Sequence, residues 1–233
     1  MRDEYWLNLE QCLSTERLEP YQADGACRIE VTARYLWNVA LSESLYAPLH
    51  FCEIALRNSI HTCLQAHTMR EDWYETLELT SWAKEQIQKA KRELRQSKKP
   101  IEPGRVVAEL NFGFWTSLFE QDYEGRSASF LPKGIKRAFP LMPKSHHKRK
   151  AIKGRLDKIR KLRNRVSHHE RIIHWKDLES QHAMIIETIG WIDPDVLHMV
   201  QVTDRFASVY QSGTQPYVDR VKSNGLIMVG SDS

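Results

Sequence analysis

The stretch Leu162-Arg163-Asn164-Arg165-Val166-Ser167-His168-His169-Glu170-Arg171-Ile172 closes a helix-like run that begins near Ser145. At about 100° per residue, Ile152, Leu156, Ile159, Leu162 and Val166 fall on one side and form a core-facing stripe. Arg163 lies within that stripe, between the directions of Leu156 and Ile159. An arginine pointed inward needs a carboxylate, a phosphate or water, because an unpaired buried charge is expensive. Asn164 and His168 are four residues apart and share a face one turn apart. The stretch therefore groups a cation, an amide and an imidazole at one end of one helix.

The pattern R-x-x-x-x-H is uninformative by itself, since the composition yields about 0.8 chance matches. Requiring Asn after the Arg lowers that to roughly 0.02. R-N-x-x-x-H is the informative unit. Histidine titrates near neutrality and serves as general acid or base on a ribose hydroxyl or a leaving oxygen. Arg163 is suited to stabilising charge on phosphoryl oxygens, and Asn164 to holding imidazole or phosphate in register. A structural alternative stands beside this: Arg163 pairs with a core carboxylate and His168 merely sits at a helix end.

The 233 residues are 41% hydrophobic, enough for a sizeable core, and carry a net charge of +4. That value hides a segregation. Residues 133–165 hold fourteen Lys or Arg against one acid, Asp157, a charge of +13; the remainder, with twenty basic and 29 acidic residues, carries −9. Such a local excess is the footprint of a polyanion partner, although many charge runs are only solvated helix faces. Within it, Lys148, Arg149, Lys150, Lys153, Arg160, Lys161 and Arg165 are the candidate nucleic-acid contacts. No apolar run is long enough to span a membrane, and the N-terminus lacks the apolar core of a secretory signal, so a cytoplasmic protein is expected. Cys12, Cys27, Cys52 and Cys63 are scattered, with Cys52 and Cys63 on an apolar helix face as core thiols. His169, Glu170 and His174 invite a metal reading, but their spacing matches no zinc signature. No metal and no cofactor is expected.

Helical periodicity predicts an all-α fold. The expected helices cover residues 3–18 (Trp6, Leu9 and Leu13 inward), 26–46 (Val31, Tyr35 and Val39 on one face) and 45–67, with Pro48 in its first turn. Leu45, Leu49, Cys52, Leu56, Ile60 and Cys63 form the stripe of the last of these. Glu53 flanks it with Arg57 four residues on. Either the two form a local pair, or one of them reaches the later motif. Further helices are expected over 81–97, capped by Thr80 or Ser81, and over 104–120. That last segment holds Phe112, Phe114, Trp115, Leu118 and Phe119, read as core or as a base-stacking platform, with Gly113 allowing a close helix approach. Residues 121–144 read as irregular, with Gly125, Pro132, Gly134, Pro140 and Pro143. Ser145 is the expected cap of the basic helix. A helix over 176–192 and a last one from Asp193-Pro194 to about Tyr210 follow.

The motif stretch resembles the signature of HEPN-domain ribonucleases, most closely of the Abi-like (abortive infection, bacteriophage resistance) branch. Glu53-Ile54-Ala55-Leu56-Arg57-Asn58-Ser59-Ile60 and Leu110-Asn111-Phe112-Gly113-Phe114-Trp115-Thr116-Ser117-Leu118-Phe119 fit the same branch, in the family's order. The resemblance covers roughly residues 25–210. It implies a HEPN-like helical bundle with additional helices; the residues before it (1–24) read as an N-terminal helical extension and those after it (211–233) as a mobile tail. It implies metal-independent RNA cleavage in phage defence or as a toxin, through 2′-hydroxyl attack that leaves a 2′,3′-cyclic phosphate. Arg163, Asn164 and His168 would be catalytic, with Glu53, Arg57 and His169 in support. It also implies a homodimer with a shared cleft, and an antitoxin, protein or RNA, as a possible partner. Two other readings remain open: a non-catalytic RNA-binding module using segment 133–165, and a helical partner protein whose motif braces the core.

Overall fold

Apolar stripes at helical spacing recur along the chain, and each is expressed as a helix that buries its stripe. The computed structural model describes residues 3–124 and 133–223; among them the secondary structure is helical, without strands. The fold is all-α. The α-helices are α1 (Asp3–Leu13), α2 (Thr15–Leu18), α3 (Arg28–Thr68), α4 (Ser81–Gln96), α5 (Pro103–Glu109), α6 (Phe112–Ser117), α7 (Lys133–Ala138), α8 (Arg149–Ser167), α9 (Leu178–Ile192), α10 (Pro194–Thr203), α11 (Phe206–Ser212) and α12 (Gln215–Ser223).

The two helices expected to meet near residue 45 are one continuous helix, α3, of 41 residues with Pro48 inside it. Proline has no N–H to give to the carbonyl four residues back. The helix continues because its apolar stripe does: Leu41, Leu45, Leu49 and Cys52 are all buried. The boundary between two compact units falls at this proline. One unit takes residues up to Ala47, 165–182 and those from Thr203; the other takes 48–164 and 183–202.

In the first unit, Trp6, Leu18, Tyr21 and Val31 form a buried cluster, with Leu9, Leu13, Tyr35 and Ile173 packed against it. Val39, expected inward, is 47% exposed. The buried positions of this half of α3 include Val31, Ala33, Asn38, Leu41 and Leu45, so an asparagine occupies a core position. Trp37 donates its indole N–H to the Val209 carbonyl at 3.0 Å. The helix expected to run to Tyr210 stops at Thr203, where the Asp204 carboxylate accepts from the Phe206 N–H at 3.0 Å and starts α11. Residues 215–223 of the expected tail are helical as α12, and 224–233 lie outside the described residues.

In the second unit, Phe112, Phe114, Trp115, Leu118 and Phe119 are buried, and Trp73 joins them, its ring 6.3 Å from Phe114 and 6.1 Å from Trp115. Buried rings offer no platform to a base, so this cluster is core; each ring contributes roughly 1.5–3 kcal/mol of burial. The helix expected over 104–120 is two short ones, broken where the Asn111 side chain accepts from the Phe114 N–H at 3.0 Å. A Cβ at Gly113 would lie 3.0 Å from Asn111 Oδ1, the cap itself, and 3.9 Å from Nη1 of Arg160. Thr80 caps α4 and Asp193 caps α10, as the residue types predict. Ser145 does not cap α8; it sits in a 3-10 turn, Lys144–His146, and α8 begins at Arg149. Gly125 and Pro132 lie outside the described residues.

Candidate functional site

Helix α8 buries Ile152, Leu156, Ile159, Leu162 and Val166, the stripe expected of it. This rotation fixes where the motif points. Arg163 leaves the edge of the stripe and meets Glu53 of α3: Nε lies 3.1 Å from Oε2 and Nη2 3.5 Å from Oε1. The guanidinium is 34% exposed and the carboxylate 25%. The inward cation thus has its carboxylate, and water still reaches both. Glu53 does not pair with Arg57, whose Nε donates to Asn58 at 3.1 Å. Asn164 is exposed, its Oδ1 at the outer limit of hydrogen bonding, 3.5 Å from Arg163 Nη1.

The boundary between the units falls inside the motif, between Asn164 and Arg165. Beyond it, α8 ends in two reversed hydrogen bonds: His169 N–H to the Val166 carbonyl at 3.2 Å, and Glu170 N–H to the Arg165 carbonyl at 2.9 Å. This is a Schellman motif, whose turning residue adopts left-handed backbone. That residue is His169, with φ 55°. Glycine or asparagine is usual there; a histidine accepts strain of the kind that clusters at functional positions. His168 sits just before the turn and is exposed.

Asn38 holds the chain that leaves this turn. Its Oδ1 accepts from the N–H of Ile172 at 2.7 Å and of Ile173 at 3.3 Å, and its Nδ2 donates to the Glu170 carbonyl at 3.4 Å. Arg17 donates to the His169 carbonyl at 2.8 Å, and Arg171 donates to the Pro20 carbonyl. Arg165 pairs with Glu170 at 2.9 Å and lies over the Trp175 ring.

The family model for Abi-like proteins matches residues 1–174, a span that runs through the motif. The chain belongs to the Abi-like family. No curated protein and no solved structure matches it.

The basic run of this Abi-like protein is partly neutralised within its own unit. Arg149 donates to the Phe119 carbonyl at 2.8 Å and to Glu124 at 2.5 Å. Lys153 pairs with Asp157 at 2.6 Å and lies 3.7 Å from Glu120, and Arg160 pairs with Asp157 at 3.2 Å. Arg155 pairs with Glu187 at 2.5 Å and stacks over Trp191 at 4.0 Å. Lys148, Lys150 and Lys161 are exposed. Among the described residues no three His, Cys, Asp or Glu side chains converge on a point.

Sequence reasoning missed Asn38. Its signal was available: a polar residue seven after Val31 and three before Leu41, on a core-facing stripe. It also missed Arg17, which stands 152 residues from the carbonyl it binds.

Proposed function

We propose that this Abi-like protein is a metal-independent endoribonuclease of phage defence. One observation carries the reading: Arg163 is oriented by Glu53 while keeping a third of its surface open, and an exposed His168 follows at the end of the same helix. Family membership supports the defence role. In the proposed reaction a base removes the proton of a ribose 2′-hydroxyl, and the 2′-oxygen attacks the adjacent phosphorus. The 5′-oxygen leaves and takes a proton from an acid, so a 2′,3′-cyclic phosphate and a 5′-hydroxyl result. His168 supplies proton transfer, Arg163 stabilises the charge building on the phosphoryl oxygens, and Asn164 orients the phosphate. Glu53 is a positioning residue that fixes the guanidinium. The resemblance to HEPN ribonucleases adds a homodimer in which each protomer brings one His168, and an antitoxin that restrains it.

The test is a defined RNA incubated with the protein in EDTA. Cleavage with cyclic-phosphate ends, blocked by a 2′-deoxy nucleotide at the scissile position, is the expected result. Cleavage that persists through the deoxy position would overturn the mechanism. The alternative, a non-catalytic RNA-binding module, draws on the same ion pair: a guanidinium committed to Glu53 also suits a brace, with exposed Lys148 and Lys150 left to hold RNA.

A further inference from the structure

Next to the motif turn, the first unit contains a cleft of about 500 Å³ whose walls include Arg17, Tyr21, Arg165, His169, Arg171 and His174. His168 is not among them. Two carboxylates also line it, Glu16 and Glu170, and Glu170 is already paired with Arg165. Its arginines and carboxylates together give three positive charges and two negative ones. That balance suits the single charge of a phosphodiester better than the double charge of free phosphate.

The donors are placed before any ligand arrives. Arg17 and Arg171 are each anchored by one N–H to a backbone carbonyl, which leaves most of the guanidinium fork to bind something else. Tyr21 is buried under Arg171, and burial pushes its phenol up to about 12, so it stays a donor. Burial, with Arg171 and Arg165 beside it, holds the His174 imidazole below its ordinary range. The Schellman turn that ends α8 places His169 on the wall of the cleft. We propose that this cleft binds a backbone phosphate of single-stranded RNA on one side of the cleaved linkage.

The proposal rests on RNA being the substrate, and a probe that cannot be cleaved separates the two claims. A fluorescent 2′-O-methyl RNA dodecamer lacks the attacking hydroxyl, so its anisotropy with the full-length protein reports binding alone. The test variant is His169→Gly combined with His174→Ala. Glycine accepts φ 55° without strain, so the turn and the melting temperature should be kept. Loss of two donors to a charged group should weaken binding about tenfold or more. Arg17→Ala should act in the same direction. Inorganic phosphate should compete more weakly than an unlabelled oligonucleotide of equal phosphate content.

Weakened binding with the parental melting temperature supports the cleft even if the parent cleaves nothing, in which case only the ribonuclease reading fails. Parental affinity in both variants overturns the cleft even if cleavage is intact. Absence of RNA binding by the parent overturns both.

Discussion

Arg163 of α8 and Glu53 of α3, 110 residues apart in sequence, form a two-point ion pair with Nε 3.1 Å from Oε2. Neither group is fully buried, so the pair is weaker as a stabiliser than a core salt bridge and more useful as an orienting device. Glu53→Gln should retain the fold with a loss of about 1 kcal/mol or less, and should lower kcat far more than it raises KM. Arg163→Ala should abolish cleavage and cost about 1–2 kcal/mol, less than a buried arginine would. Urea denaturation with single-turnover cleavage reads both; a Glu53→Gln protein with parental kcat would remove the positioning role.

Asn38 makes three hydrogen bonds to the backbone of residues 170–173 from a side chain that is 4% exposed. Asn38→Leu fills the space but strands the buried Ile172 N–H, at about 1–3 kcal/mol. The variant should melt lower, and the Ile172 amide should exchange with solvent much faster. Unchanged protection at that amide would mean the clamp is not what holds this segment.

Acid should destabilise the protein through histidines that are kept neutral. His182 stacks on Phe206 with centroids 4.3 Å apart, and its Nε2 lies 2.8 Å from Asp204. Burial nonetheless holds the imidazole below its ordinary range, outweighing the carboxylate. Burial lowers His61 as well. A lowered folded-state value means that the unfolded chain takes up the proton first. Stability is therefore full above about pH 6.5 and falls as the pH drops below it. The denaturation midpoint should be lower at pH 5.5 than at 7.5, and His182→Gln should lessen the difference. A midpoint that rises on acidification would contradict this.

The basic helix should divide by partner. Lys148 and Lys150 face solvent, and replacing both with Ala should make the salt dependence of RNA binding shallower by on the order of 1.4. Arg149 and Lys153 are tied to Glu124, the Phe119 carbonyl, Asp157 and Glu120. Their removal should lower the melting temperature and leave the slope nearly as it was. If all four substitutions flatten the slope equally, the ion pairs open when RNA binds.

What was legible in the sequence was periodic or chemical. The α8 stripe could be read because buried side chains recur every three or four residues, and Thr80 and Asp193 could be read as caps because their oxygens suit free N–H groups. The need of Arg163 for a carboxylate was legible too, but whether Glu53 pairs locally with Arg57 or reaches the later motif stayed open, because spacing says nothing about pairing across 110 residues. Asn38 was overlooked for its polarity, although its spacing from Val31 and Leu41 put it on the core-facing stripe. The turn at His169 was hidden because left-handed backbone is usually announced by glycine. Continuity of α3 through Pro48 and the break at Asn111 both went against local expectation, the first from tertiary burial and the second from a cap inside an apolar run.

The most direct test incubates total RNA with the purified parent protein and with His168→Ala, both in EDTA. The parent should degrade RNA despite the chelator, whereas His168→Ala should leave it intact while binding it with parental affinity. Degradation that EDTA abolishes, equal degradation by both proteins, or no degradation by the parent would contradict this.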